Sequence, residues 1–278
     1  MRGRRDLRGL GVVVTGASGG LGSALCACYA AAGAKIAAID LDAARVEALA
    51  AALRAQDAIA IAIACDIADE AGCAAAIAQA QHALGGVDVL VNNAGISARV
   101  LLRESAPAVA RRVMAVNYFG AVHATQAALP SLIERHGQIV VISSVAGFAP
   151  LVGRTAYAAS KHALHGFFDS LRAELRGTGV EVTIACPSFI ATGIEGAALG
   201  ATGRAPATPR QTGCDEASAD AIAALIVDAA RRGVRLCLPG RTARLAWWVS
   251  RVAPATYERL MLGRVGSEFG LSARSEAR

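Results

Sequence analysis

Leu10-Gly11-Val12-Val13-Val14-Thr15-Gly16-Ala17-Ser18-Gly19-Gly20-Leu21-Gly22 joins a short apolar run to a glycine-rich turn, and an alanine-rich helical stretch follows to about residue 32. The order is strand, glycine loop, helix. Such a loop brings backbone N–H groups and a helix N-terminus against a pyrophosphate, and side chains at Gly16, Gly20 and Gly22 would obstruct that approach. Glycine triplets are common in turns. Set directly between a strand and a helix, this one points to a dinucleotide.

Working outward, strand patterns at 35–40, 58–66, 87–92, 138–143, 180–186 and 234–238 alternate with helical patterns at 42–56, 69–84, 107–135, 155–176 and 216–232. Alternation of this kind predicts a parallel sheet covered on both faces, with ligands at the carboxyl ends of its strands. Residues 189–212 lack clean periodicity and read as a mobile loop able to close over a ligand. With 278 residues and 54% hydrophobic content, the chain is long enough for one large core. Residues 1–240 form that single domain, and residues 241–278 form a C-terminal amphipathic extension.

The net charge of +6 is uneven. Residues 1–10 carry four arginines and one aspartate, and residues 231–278 carry ten arginines and three acids, which leaves the middle acidic. Without a basic stripe interleaved with aromatics in the core, this pattern argues against nucleic-acid binding. Seven cysteines show no paired CxxC spacing. Their odd number, and the absence of an apolar secretory core after Arg2, Arg4, Arg5 and Arg8, favour a reducing, cytoplasmic setting. No stretch reaches the roughly 18 apolar residues that a bilayer span needs. His162 and His165 lie three apart with no carboxylate or cysteine cluster to complete a metal site, so no metal is expected and both read as helix-surface residues.

Asp40 closes the second strand about 20 residues beyond the loop, where it can accept hydrogen bonds from ribose hydroxyls and would repel a 2′-phosphate. Leu41 follows it, with no arginine there to neutralise such a phosphate, so NAD is expected over NADP. Asp42 suits the following helix N-cap better than Asp40 does. Farther on, Tyr157 and Lys161 stand four residues apart on a helix, on one face. A phenol titrates near 10 and needs a neighbouring cation to exchange protons near neutrality. Lys161 is one of only two lysines, with Lys35, in a chain otherwise supplied with arginine. Its compact ammonium can contact a ribose and a phenol together, which a wide guanidinium cannot.

These residues, with Asn92-Asn93-Ala94-Gly95, Asn117 and Ser144, resemble the classical short-chain dehydrogenase/reductase family in order and spacing over roughly residues 8–238. The resemblance implies a doubly wound Rossmann-type α/β domain with seven parallel strands in the order 3-2-1-4-5-6-7. It implies that Ser144 hydrogen-bonds the substrate oxygen, Tyr157 exchanges a proton with it, Lys161 holds the nicotinamide ribose, and Asn117 positions a water behind Lys161. It further places Gly16, Ser18, Gly20, Leu21 and Gly22 in the phosphate loop, Asp66 and Ile67 beside the adenine, Asn93 beside the cofactor, and Ile190 and Thr192 at the nicotinamide end. One departure is visible. The family's Pro-Gly after the sixth strand is Pro187-Ser188 here, which puts that backbone in question.

Ile96, Val145, Phe148, Leu151, Val152 and Phe189 are expected around the reacting carbon, an apolar wall suited to a hydrophobic alcohol or ketone. The segment 160–175 looks like that of family members acting on steroids, retinoids or other lipids. After Gly240, Leu245, Trp248, Val249 and Val252 follow an i, i+3, i+4, i+7 pattern, with Arg244 and Arg251 on another face. That helix either packs on the protein's own body or a partner subunit, or contacts a membrane surface. The expected activity is an NAD-preferring alcohol/carbonyl oxidoreductase, assembled as a homodimer or homotetramer through its long helices as the family resemblance suggests. The alternative is a non-catalytic nucleotide-binding or scaffolding protein on the same fold, against which the intact Ser144, Tyr157 and Lys161 set argues.

Overall fold

The computed structural model describes residues 4–190, 198–204 and 217–271. Seven parallel strands form one sheet in the order β3-β2-β1-β4-β5-β6-β7. They are β1 (Gly11–Thr15), β2 (Lys35–Asp40), β3 (Ala60–Ala64), β4 (Val89–Asn92), β5 (Gln138–Ile142), β6 (Glu181–Ala185) and β7 (Leu236–Cys237). Central β1 shows why a parallel strand needs an unbroken apolar run: it is buried on both faces, so successive residues serve two cores. Val12 and Val14 face the core shared with α1 (Gly20–Ala31), α2 (Ala43–Arg54) and α7 (Ala219–Arg231). Val13 faces the other, shared with α3 (Glu70–Leu84), α5 (Gly120–Glu134) and α6 (Thr155–Glu174). In register, Val13 lies beside Ala37 on one side and Leu90 on the other.

The pattern at 107–135 is broken where a single helix was expected. It comprises α4 (Pro107–Met114), one widened π turn over Ala115–Phe119, and α5. Such a turn carries an extra residue and re-aims the side chains within it, here including Asn117. The last strand is also shorter than its apolar pattern, two residues at the sheet edge. Of the loop expected at 189–212, the described parts are tied down: Ile190 bridges to Ala217, and Leu199 bridges to Ala98.

Past β7, Gly240 (φ +86°) opens α8 (Gly240–Val252), and Pro254 starts α9 (Pro254–Val265), so the extension is a helical hairpin. Two contacts hold its end to the body. Arg99 and Glu268, both buried, approach to 3.8 Å, and the Phe269 ring lies against Gly153, where a β-carbon would overlap it.

Candidate active site

A cavity of about 720 Å³ runs along the carboxyl ends of the strands, from Asp40 and Asp66, past the glycine loop, to Ser144, Tyr157 and Lys161, and ends beneath α8 and α9. Its floor is built by backbone constraint. Gly16 has φ +63°, and a β-carbon there would meet the Ala94 Cα at 2.6 Å. A β-carbon on Gly22 would strike the Gly16 carbonyl and come within 2.8 Å of Asn93 Nδ2. Both glycines are therefore required by the packing of loop, helix and β4 on one another, in addition to the ligand clearance read from the sequence. Helix α1 begins behind Gly19 with no side-chain cap, and Gly19, Gly20 and Leu21 line the cavity. An uncapped N-terminus opening on a cavity suits a pyrophosphate.

The loop is held from two sides. Asn93 Nδ2 donates to the carbonyls of Thr15 (3.0 Å) and Gly16 (2.9 Å), while Thr15 Oγ1 accepts from the N–H groups of Asn93 and Ala94. Asp40 accepts from the Ser18 N–H at 2.8 Å and lines the cavity, and Asp42 is the residue that caps α2. Arg45, which sequence reasoning passed over, donates to the Ser18 carbonyl at 2.8 Å and stands on the same rim. At the end of the cavity beyond β3, Asp66 pairs with Arg112 at 3.2 Å and accepts from the Ala68 N–H, and Ile67 lines the cavity while its side chain packs over Gly120. His123, assigned nothing from the sequence, has Nδ1 3.0 Å from the Ile67 carbonyl oxygen and props that turn.

Farther along the cavity, α6 presents Tyr157, half-buried, and Lys161, buried. Lys161 Nζ lies 5.7 Å from the centroid of the Tyr157 ring and donates to the Ile142 carbonyl at 2.8 Å. Burial pushes its ammonium down to about 8, so the charge is retained at neutral pH. Ser144 closes β5 into the cavity and accepts from the Ala146 N–H at 3.2 Å. Ser143 is buried, its hydroxyl spent on the Lys161 carbonyl and on His165.

The side chain of Asn117 bridges two parts of the protein. Its Oδ1 accepts from the Ile96 N–H (2.8 Å), and its two amide hydrogens go to the Ile96 carbonyl (3.0 Å) and Ser160 Oγ (2.9 Å). Ser160 in turn donates to the Tyr157 carbonyl at 2.7 Å. The amide is a brace linking β4's exit to the turn of α6 that carries Tyr157 and Ser160. His165 departs from its surface reading: it faces Ser143 Oγ (3.1 Å) and Cys186 Sγ (3.4 Å), and burial lowers it to about 4, keeping it neutral. His165 continues the four-residue step from Tyr157 to Lys161, the one signal in the sequence that could have placed it on the inward face.

Of the expected apolar wall, Ile96, Val145, Leu151 and Phe189 line the cavity, with Ile190 beside them. Phe148 and Val152 do not. Phe148 packs into the core beneath α6, and Arg251 lies over its ring at 5.9 Å. Thr192 lies outside the described residues. Ser188 lines the cavity with its backbone outside the left-handed region, so it replaces glycine without strain. The rest of the wall comes from the extension: Leu245, Ala246, Val249, Tyr257, Leu260 and Met261. The i, i+3, i+4, i+7 row detected in sequence is thus divided, Val249 turning inward while Trp248 and Val252 stay exposed.

A sequence model of the short chain dehydrogenase family matches residues 11–200. The chain belongs to the short-chain dehydrogenase family. Family members similar over nearly the whole chain include the mouse (Mus musculus) dehydrogenase/reductase SDR family member 7B, 36% identical over 274 residues that cover 96% of this chain and 85% of that one. A dehydrogenase/reductase SDR family protein 7-like from Anopheles gambiae is 36% identical over 270 residues, 95% of this chain and 85% of the other. Among solved structures, a short-chain dehydrogenase/reductase from Burkholderia phymatum in complex with NAD superposes with a TM-score of 0.78 at 26% identity, over 99% of each chain. The glycine cradle, the uncapped α1 and the carboxylate at the end of β2 suit a nucleotide-binding fold. Among the described residues no helix is long and apolar enough to cross a membrane, and no cluster of three His, Cys, Asp or Glu side chains stands ready for a metal ion.

Proposed function

We propose that this chain is an NAD-preferring oxidoreductase that interconverts a hydrophobic secondary alcohol and its ketone, or an alcohol and its aldehyde. The observation that carries this reading is the meeting, in one cavity, of a dinucleotide cradle, the Ser144, Tyr157 and Lys161 side chains, and an apolar wall.

Bound nicotinamide would supply or accept the hydride. Gly16, Ser18, Gly20, Leu21 and Gly22 would seat the pyrophosphate, Asp40 the adenosine ribose, Asp66 and Ile67 the adenine, and Asn93 would keep the loop in shape. Ile190, with Thr192, would meet the nicotinamide end. Ser144 donates a hydrogen bond to the substrate oxygen, and Tyr157 removes or returns the proton on that oxygen. The Lys161 ammonium, fixed by the Ile142 carbonyl, favours the phenolate and holds the nicotinamide ribose. Asn117 acts through Ser160 as a positioning residue for Tyr157. Burying the reacting end under apolar side chains strengthens each of these electrostatic contacts.

Steroid, retinoid or other lipid alcohols fit the wall best, and homodimers or homotetramers through the outward faces of α5 and α6 belong to the same reading. So does a cytoplasmic, membrane-peripheral setting, supported by six described cysteines that are all free thiols. A panel of hydrophobic alcohols with NAD and NADP tests the activity, and Asp40→Ala tests the coenzyme. Because Arg45 remains on the rim, that variant is expected to narrow the NAD preference by about tenfold or more. An unchanged ratio of kcat/KM for the two coenzymes would remove Asp40 from this role.

A further inference from the structure

The α8–α9 hairpin has two apolar faces, and only one of them is needed to line the cavity. Leu245 (66% exposed) and Leu260 (60%) stand on the lip, lining the cavity while open to solvent. Beyond them along α8, Trp248 (63%) and Val252 (76%) line nothing. Leu245, Trp248 and Val252 are three and four residues apart and form one outward row. Four large apolar side chains this exposed in one hairpin mark an interaction surface. Exposed Arg241, Arg244 and Arg259 accompany the row, and the hairpin, residues 240–265, carries five arginines against one acid, Glu258.

We infer that this outer face seats the protein on an anionic lipid surface, so that the mouth of the cavity opens against the bilayer and apolar substrate enters from the lipid. This deepens the reading of a hydrophobic substrate and rests on it. The chemistry matches on both counts: a tryptophan and aliphatic side chains enter the headgroup boundary while guanidinium groups pair with lipid phosphates and carboxylates. A protein partner would satisfy the apolar row, but the arginine excess selects a negatively charged surface. The lip residues add a second reason, because they make the apolar face continuous with the substrate wall.

Co-sedimentation of the full chain with phosphatidylcholine vesicles, with and without phosphatidylserine, tests the inference. Wild type is expected to bind the anionic vesicles and to lose binding as salt is added. Trp248→Glu/Val252→Glu, and separately Arg241→Glu/Arg244→Glu, are expected to bind about tenfold more weakly or worse. Both tryptophans of the chain, Trp247 and Trp248, lie in α8, so a blue shift of the emission on vesicle addition reports the same event at the same place. Turnover of a short water-soluble alcohol should be unchanged in Trp248→Glu/Val252→Glu, while turnover of an alcohol partitioned into the vesicles falls about tenfold.

Absence of wild-type binding, or equal binding by wild type and both variants, overturns the inference. Concentration-dependent self-association that the Trp248→Glu/Val252→Glu variant abolishes, with no vesicle binding, assigns the face to a second copy and overturns it as well. The binding assay needs neither coenzyme nor turnover, so its failure leaves the oxidoreductase reading standing. Conversely, vesicle binding without turnover of any alcohol would sink that reading alone.

Discussion

The two ends of one cavity are built in opposite ways. At the end that holds the glycine loop and Tyr157, nearly every named side chain is fixed by a hydrogen bond to backbone: Asn93 to Thr15 and Gly16, Asp40 to Ser18, Asn117 to Ile96, Lys161 to Ile142. At the other end, α8 and α9 contribute apolar side chains whose only requirement is to fill space. Backbone-directed polar contacts demand one residue type at one position, whereas an apolar wall tolerates many. In the proposed reading the first end carries the chemistry and the second the choice of substrate.

Lys161 offers the sharpest way to break that contrast. Lys161→Met is expected to lower turnover by about a thousandfold, since it removes the cation that favours the phenolate. The same change should raise the Tm of the coenzyme-free protein by a few degrees, because a buried ammonium is a cost to folding. The sign follows from linkage. Lys161 titrates near 8 in the folded chain against 10.5 for a free lysine, so between those values the unfolded chain binds the additional proton. Wild-type stability should therefore gain a contribution as pH rises from about 8 toward 10.5 that Lys161→Met lacks, and denaturant midpoints across that range will show it. Identical pH profiles would mean the ammonium is not buried as the structure has it.

Gly22→Ala comes next. Its added β-carbon meets the Gly16 carbonyl, so the loop must shift, and NAD affinity measured by fluorescence titration should fall by about ten- to a hundredfold, with a Tm several degrees lower. At the opposite end the expected effect is smaller and different in kind. Val249→Ala should raise KM for a long hydrophobic alcohol by about fivefold, leaving kcat and NAD affinity near wild type. A comparable loss of NAD affinity in Val249→Ala would erase the division between the two ends.

That division also explains how much was legible in the sequence. The alternation of strands and helices, the glycine loop, Asp40 at the end of β2 and the Tyr157–Lys161 pair follow from spacing, because strand–loop–helix geometry converts sequence distance directly into position, whereas the strand order came with the family resemblance. Long-range side-chain bonds do not leave such a trace. Ser160, Arg45 and the bracing role of Asn117 depend on partners 21 to 43 residues away, and nothing in their local pattern reveals them. The π turn at Ala115–Phe119 hid for a local reason, since apolar periodicity continues through it. In the extension, the amphipathic row of α8 was visible but not its use, because the row straddles the cavity lip and serves lining and outer face at once.

The central claim is that a phenol beside a buried ammonium moves the proton while the nucleotide cradle and the apolar wall do the binding. Steady-state turnover of Tyr157→Phe on the best alcohol of the panel, measured alongside its NAD affinity, tests this most directly. The account predicts a loss of about a thousandfold or more in kcat with NAD affinity within about twofold of wild type. Turnover within about tenfold of wild type would contradict it.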